Sequence, residues 1–141
     1  MKRRQVLFLC TGNSCRSQMA EAFVNHDLGE AWDAFSAGTR PAGFVHPMAL
    51  AALADAGIHH QGRSKPADEF RQTAFDLVVT VCDSAAEECP IWLGTRKRLH
   101  IDFPDPARAT GTDAEVMGVF RTVRDDIRRR VVGALDSFPA A

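Results

Sequence analysis

The chain has 141 residues, of which 45% are hydrophobic and 25% charged, so we expect one globular domain over residues 1–141. With 17 Lys and Arg against 18 Asp and Glu, the net charge of −1 gives no field that would attract nucleic acid. The apolar runs are far shorter than the roughly 20 residues of a membrane-spanning helix, and the run after Lys2-Arg3-Arg4 is too short for a signal peptide, so the sequence predicts a cytoplasmic protein without membrane contacts.

The first half of the chain predicts two strands and two helices in alternation. Gln5–Leu9 is a continuous apolar run, as expected for a central parallel strand buried on both faces. A helix is predicted from about Arg16 to Leu28, and Trp32–Ala37 is predicted as the second strand. The next helix begins with Pro47 in its first turn and ends at Gly57.

The second half continues the alternation. Phe75–Val81 and Arg98–Asp102 are predicted as strands. Thr112 and Glu115 form a capping box that starts the last helix. One apolar stripe follows this helix, made of Val116, Phe120, Val123, Ile127, Val131 and Leu135.

The alternation of strands and helices predicts an α/β fold: a four-stranded parallel sheet of order 2-1-3-4 with helices on both faces. Ligands of such sheets bind beyond the carboxyl ends of the strands. We therefore expect the functional site in the loop after the first strand.

That loop has the pattern of an anion-binding site built around a cysteine. Cys10 leaves the buried strand, Gly12 and Asn13 can adopt left-handed backbone angles, and Arg16 opens a helix. The backbone N–H groups and the helix N-terminus would hold an oxyanion, which Arg16 would grip through two oxygens. The same field would favour the Cys10 thiolate, and Ser17 could donate a hydrogen bond to the sulfur. The candidate binding residues are Thr11, Gly12, Asn13, Ser14, Cys15 and Arg16.

The four cysteines do not have zinc-site spacing, and structural disulfides would be unusual in a cytoplasmic chain. Cys82 ends the third predicted strand, at the same sheet edge as Cys10, and Cys89 follows seven residues later. If residues 84–88 are helical, these two cysteines stand about 10 Å apart. A disulfide tolerates a Cα separation of about 7 Å, so joining them would require this helix to unwind.

From Val6 to about Val132 the sequence resembles the low-molecular-weight protein tyrosine phosphatases, whose loop is C-x4-C-R-S. It is more similar to the thioredoxin-coupled arsenate reductases of the same fold. Gln18 stands where the phosphatases usually carry Pro, and the chain contains no Tyr. Asp105-Pro106 is followed by Ala107-Arg108 and not by the aromatic residues with which those phosphatases flank phosphotyrosine, whereas the Cys82 and Cys89 pair suits a reductase.

The resemblance implies a reaction, a reductant and roles for individual residues. Cys10 would attack arsenate and Asp105 would act as general acid; Cys82 and then Cys89 would carry the resulting disulfide, which thioredoxin would reduce. Phosphate and sulfate would compete, and no bound cofactor is expected. The enzyme would be a monomer with weak phosphatase activity. The alternatives are a phosphatase, or a redox-sensing oxyanion-binding module.

The predictions include no metal. The resemblance implies that some relatives bind potassium through Asn, Glu, Ser and Asp; here Asn13, Glu21 and Ser36 match three of these positions, but Lys65 occupies the fourth. The Lys65 ammonium could therefore replace the ion; the alternative is that Lys65 points to solvent from its loop. The adjacent His59 and His60 lack a third ligand and are interpreted as a solvated turn. No step of the expected reaction requires Cys15.

Overall fold

The computed structural model describes residues 3–82 and 97–139. Four parallel strands form one sheet: β1 (Arg4–Cys10), β2 (Trp32–Gly38), β3 (Leu77–Thr80) and β4 (Arg98–His100). Their order is β2-β1-β3-β4, which confirms the predicted topology. β1 is the inner strand between β2 and β3. Its residues 6–9 are fully buried, because both of its edges are paired and other parts of the chain pack on both faces of the sheet.

Three long helices are described: α1 (Arg16–Asp27), α2 (Pro47–Asp55) and α3 (Asp113–Ile127). They pack against one another, and α1 also packs on β1 and β2. The chain continues from α3 through a π-helical turn (Arg128–Val132) into the short helix α4 (Gly133–Asp136). None of the helices within the described ranges is long and apolar enough to cross a membrane.

Side-chain alternation along β2 separates the two faces of the sheet. The Ser36 hydroxyl donates to Glu21 of α1 at 3.0 Å, so the neighbouring Phe35 points to the opposite face. There Phe35 packs edge-to-face against Phe70 and Phe75, whose ring centroids lie 5.7 Å and 5.9 Å away. Phe70 belongs to a short 3-10 helix, Ala67–Phe70, which covers part of this face.

The sequence overestimated the length of two strands. β3 spans Leu77–Thr80 instead of residues 75–81. Just before its start the Gln5 N–H donates to the Asp76 side chain at 2.7 Å instead of to a backbone carbonyl, although the Asp76 N–H still donates to the Gln5 carbonyl at 2.8 Å. β4 ends at His100 instead of residue 102. The capping box at Thr112 and Glu115 is present as predicted, and Val116 is the one member of the apolar stripe that is only half-buried.

The last residues described are fastened to the first strand. The Arg4 guanidinium stacks on the Trp32 ring at 4.2 Å and donates to the carbonyl oxygens of Phe138 and Pro139 at 3.1 Å and 3.2 Å. Arg128 of the π-helical turn makes two 2.8 Å hydrogen bonds to Asp27 at the end of α1. These contacts hold the C-terminal segment at the end of β1 opposite to Cys10.

Candidate active site

The loop after β1 turns its carbonyl groups away from its centre. Four of these carbonyls accept a hydrogen bond from a neighbouring segment of the chain, and the backbone N–H groups of the loop are therefore left for its centre. Gly38 permits this close approach, because a Cβ there would lie 2.6 Å from the Thr11 carbonyl oxygen. The donors are the N–H groups of Thr39, Arg40, Ala42 and His46, which bind the carbonyls of Cys10, Thr11, Gly12 and Ser14 at 2.9–3.1 Å. With the N-terminus of α1, the loop forms an oxyanion cradle.

Two donors converge on the sulfur of Cys10, which is buried. The Asn13 N–H donates to Cys10 Sγ at 3.2 Å, and the Ser17 hydroxyl lies 2.8 Å from the same atom. Asn13 Nδ2 donates to Ser17 Oγ at 2.8 Å. Because the Ser17 oxygen already accepts this bond, its own hydrogen is available to the sulfur. Both contacts stabilise a thiolate.

Asn13 receives its orientation from a distant segment. Its side-chain oxygen accepts the Lys65 N–H at 3.0 Å, which leaves its NH2 group for Ser17. Its φ of 48° lies in the left-handed region, which asparagine tolerates better than most residues. The direction of the hydrogen bonds that reach Cys10 therefore depends on contacts on both sides of Asn13.

Removal of the Ser17 hydroxyl tests whether this group donates a hydrogen bond to the Cys10 sulfur. We expect Ser17→Ala to lower the rate of p-nitrophenyl phosphate hydrolysis about tenfold near pH 6, the value of one hydrogen bond to a charged group. The loss should shrink as pH rises, because the thiolate then forms without this donor. Ser137→Ala, which changes an exposed serine, is the matched control. An equal loss at every pH would show that Ser17 acts through packing instead.

Arg16 and Asp105 lie together at the cradle. Arg16 Nη1 donates to the Phe103 carbonyl at 3.1 Å, and Arg16 Nη2 lies 3.8 Å from Asp105 Oδ2. The other Asp105 oxygen accepts the Ala107 N–H at 3.0 Å, at the start of a 3-10 helix, Pro106–Arg108. A cavity of about 230 Å³ is lined by Cys10, Gly12, Ser14, Cys15, Arg16, Ala42, Phe44, His46, Asp105 and Ala107. The structure thus brings together the predicted nucleophile, anion-binding arginine and general acid.

Cys15 lines the same cavity but differs in its chemistry. Burial raises the pKa of its thiol to about 12, and the nearby Asp105 and Cys10 add to the shift. Cys15 therefore remains a neutral thiol at physiological pH and does not compete with Cys10 as a nucleophile.

A third buried thiol lies at the edge of the cradle. Cys82 follows β3 by two residues, and β3 is hydrogen-bonded to β1 with Leu9 opposite Thr80. The adjacent strand ends bring the Thr11 hydroxyl to 3.5 Å from Cys82 Sγ. Its predicted partner Cys89 and the predicted helix over residues 84–88 lie outside the described residues.

Comparisons with known proteins agree with this geometry. The model of the low-molecular-weight phosphotyrosine protein phosphatases matches residues 5–139. The chain belongs to this family. The arsenate reductase of Halalkalibacterium halodurans is 46% identical over 132 residues, covering 93% of this chain and 94% of that protein. The arsenate reductase of Bacillus subtilis (strain 168) is 42% identical with the same coverage. A solved structure of an arsenate reductase in the phosphate-binding state is 30% identical, with a TM-score of 0.76, and covers 96% of this chain and 99% of its own.

Gln18, next to the loop after β1, makes a set of polar contacts that the sequence did not predict. Gln18 Nε2 donates to the carbonyls of Asn13 and Arg63 at 3.1 Å and 2.9 Å, and its oxygen lies 2.7 Å from His60 Nε2. Since an amide oxygen only accepts, His60 Nε2 carries the hydrogen. A Cβ at Gly62 would lie 2.3 Å from the Gln18 oxygen, so a side chain at this position would separate the two residues.

The interpretation of His59 and His60 as a solvated turn is wrong for His60. His59 is exposed, whereas the His60 side chain is only 7% exposed and its Nε2 lies 3.6 Å from Glu21. Gln18 could have indicated this contact in the sequence. It is a long amide directly after Arg16 and Ser17, and a buried amide needs hydrogen-bond partners.

The buried His60 predicts a dependence of stability on pH. Burial, with a smaller effect from Lys65, lowers the pKa of His60 below its ordinary 6.5. The unfolded chain therefore takes up a proton at higher pH than the folded chain, and the free energy of unfolding falls as pH decreases below about 6.5. Urea unfolding between pH 7.5 and 5 should show this loss, and His60→Gln should have a weaker pH dependence. Equal slopes for the two proteins would contradict the assignment.

The family resemblance also implied a potassium site, which these residues do not fit. Lys65 is buried, and its ammonium nitrogen lies 3.0 Å from the Arg63 carbonyl oxygen, 3.5 Å from Ser36 Oγ and 4.0 Å from Glu21 Oε1. A metal cation among these oxygens would meet a positive charge instead of a second carboxylate. The ammonium group already provides the charge that Glu21 requires.

Proposed function

We propose that this chain reduces arsenate to arsenite with Cys10 as nucleophile and a disulfide relay through Cys82 and Cys89, regenerated by thioredoxin. The observation that most supports this proposal is that the hydroxyl oxygen of Thr11, in the cradle, lies 3.5 Å from the sulfur of Cys82. Hydrolysis of a phosphate ester requires one nucleophile at such a loop, whereas reduction requires a second thiol beside it.

The first step is a condensation without a change of oxidation state. The Cys10 thiolate, supported by Asn13 and Ser17, attacks arsenate held by the loop N–H groups and Arg16. A sulfur–arsenic bond forms and an arsenic–oxygen bond breaks. Asp105, at 3.8 Å from Arg16, protonates the departing oxygen, which leaves as water.

The second step transfers the electrons. The Cys82 thiolate attacks Cys10 Sγ, so that a disulfide forms and the electron pair of the sulfur–arsenic bond passes to arsenic as arsenite leaves. The Cys89 thiolate then attacks Cys82 and releases Cys10. The dithiol of thioredoxin reduces the Cys82–Cys89 disulfide, so that one dithiol is oxidised for each arsenate reduced.

A weak phosphatase activity is part of the proposal, because phosphate and arsenate have nearly the same shape and charge. The exposed ring of Phe44 lines the cavity with His46 and could stack on an aryl ester. In the alternative function, a redox-sensing oxyanion-binding module, the cysteines would be oxidised once as a signal and would not catalyse repeated turnover of a substrate.

One assay separates these functions. We expect the protein to oxidise reduced thioredoxin in steady state only when arsenate is present, with NADPH and thioredoxin reductase supplying electrons. Phosphate and sulfate should inhibit competitively. Ester hydrolysis without arsenate-dependent oxidation would establish the phosphatase. A single stoichiometric oxidation with neither activity would establish the sensor.

The proposal includes a monomer without a bound cofactor, located in the cytoplasm. Thioredoxin keeps dithiols reduced in that compartment, so the relay could be regenerated there. Light scattering of the purified protein and fractionation of cells that produce it would test the oligomeric state and the location.

A further inference from the structure

Lys65 brings a positive charge into the protein interior beside the cradle. The residue is 7% exposed, and its ammonium group is surrounded by oxygens of Arg63, Ser36 and Glu21. Burial raises the pKa of Glu21 and lowers that of Lys65, and each charge partly offsets the shift of the other. The two charges thus depend on each other for neutralisation.

The backbone around this side chain contacts the cradle at several points. The Lys65 N–H donates to Asn13 Oδ1 at 3.0 Å, and its carbonyl accepts the Gly38 N–H at 2.8 Å. The preceding Ser64 hydroxyl donates to the Gly12 carbonyl at 2.9 Å. A side chain that fixes residue 65 against α1 and β2 therefore also fixes the donor that orients Asn13.

We propose that Lys65 is a positioning residue whose buried ammonium acts as an internal cation and holds the hydrogen bonds from Asn13 through Ser17 to Cys10 in their active direction. The cradle of this chain is then ordered without a metal ion. The inference concerns the reactivity of Cys10 and stands whether the substrate is arsenate or a phosphate ester.

The alternative is that Lys65 contributes only to stability. Neutral Lys65→Met would then lower the melting temperature without changing the pH at which Cys10 becomes reactive. Under our proposal, loss of the ammonium leaves Glu21 without its neutralising charge and frees residues 63–65 to shift, so Asn13 no longer directs the Ser17 hydrogen to the sulfur. The two roles predict different pH profiles.

The test measures the alkylation of Cys10 by iodoacetamide against pH, with mass spectrometry to identify the modified cysteine. The original chain, Lys65→Met and the control Lys97→Met, which changes an exposed lysine, are compared. We expect Lys65→Met to react about tenfold more slowly near pH 6 and to approach the original rate at high pH. Lys97→Met should match the original chain. An unchanged profile in folded Lys65→Met would overturn the proposal.

Cation dependence supplies a second measurement that does not require Lys65→Met to fold. The melting temperature and alkylation profile of the original chain should be the same in potassium and sodium chloride at equal ionic strength. Lys65→Asp removes the ammonium and adds a carboxylate, so potassium should raise its melting temperature and restore Cys10 reactivity. A potassium-specific rise in the melting temperature of the original chain, or a folded Lys65→Asp that ignores potassium, would overturn the inference.

Discussion

Cys10→Ser should lose arsenate reduction and phosphate-ester hydrolysis together, by a factor on the order of 10³ or more. A serine hydroxyl does not ionise near neutral pH, so the donors from Asn13 and Ser17 would have no anion to stabilise. Steady-state thioredoxin oxidation and p-nitrophenyl phosphate hydrolysis measure the two losses.

The same variant should keep its oxyanion cradle, because the loop carbonyls, Arg16 and the helix N-terminus are unchanged. Phosphate should therefore still raise its melting temperature, which separates loss of the nucleophile from loss of the site. Substantial hydrolysis by Cys10→Ser would show that another group is the nucleophile.

Cys82→Ser and Cys89→Ser should each stop arsenate turnover while leaving most ester hydrolysis intact. Neither thiol is needed to attack a phosphate ester, whereas both are needed to move electrons from thioredoxin to arsenic. In a single-turnover experiment Cys82→Ser should release no arsenite. Cys89→Ser should release about one arsenite per enzyme and then remain as the Cys10–Cys82 disulfide.

Mass spectrometry under non-reducing conditions would identify that trapped disulfide. Full thioredoxin-coupled turnover by Cys89→Ser would show that two thiols suffice and that the proposed relay is wrong. Equal loss of ester hydrolysis in both variants would instead show that these substitutions disturb the cradle.

The parts of this protein that the sequence predicted well are local. The nucleophile, the loop and Arg16 lie within seven consecutive residues, and strand periodicity with helix caps sufficed to place that loop at the carboxyl edge of the sheet. The strand order followed from the alternation of elements and the handedness of their connections. Asp105 was predicted through the family resemblance, and the structure places it beside Arg16.

The parts that the sequence did not predict depend on contacts between distant segments. Gln18 and His60 are 42 residues apart, and their hydrogen bond exists only because the chain after α2 returns to the cradle. The backbone N–H of Lys65 carries no sequence signal at all, yet it orients Asn13. The start of β3 was placed too early, and at that end the Asp76 carboxylate accepts the Gln5 N–H that a backbone carbonyl was expected to accept.

The hydrogen bonds from Arg4 to the carbonyls of Phe138 and Pro139 have a consequence for folding during translation. During translation, the strand that carries the nucleophile is made before the carbonyls that bind its opening arginine, which follow more than 130 residues later. Until then one face of Trp32 lacks its cover from Phe138, whose ring centroid lies 6.1 Å away in the finished protein. A nascent chain halted before this point would expose an indole ring to chaperones and proteases, although all of its cradle had already been translated.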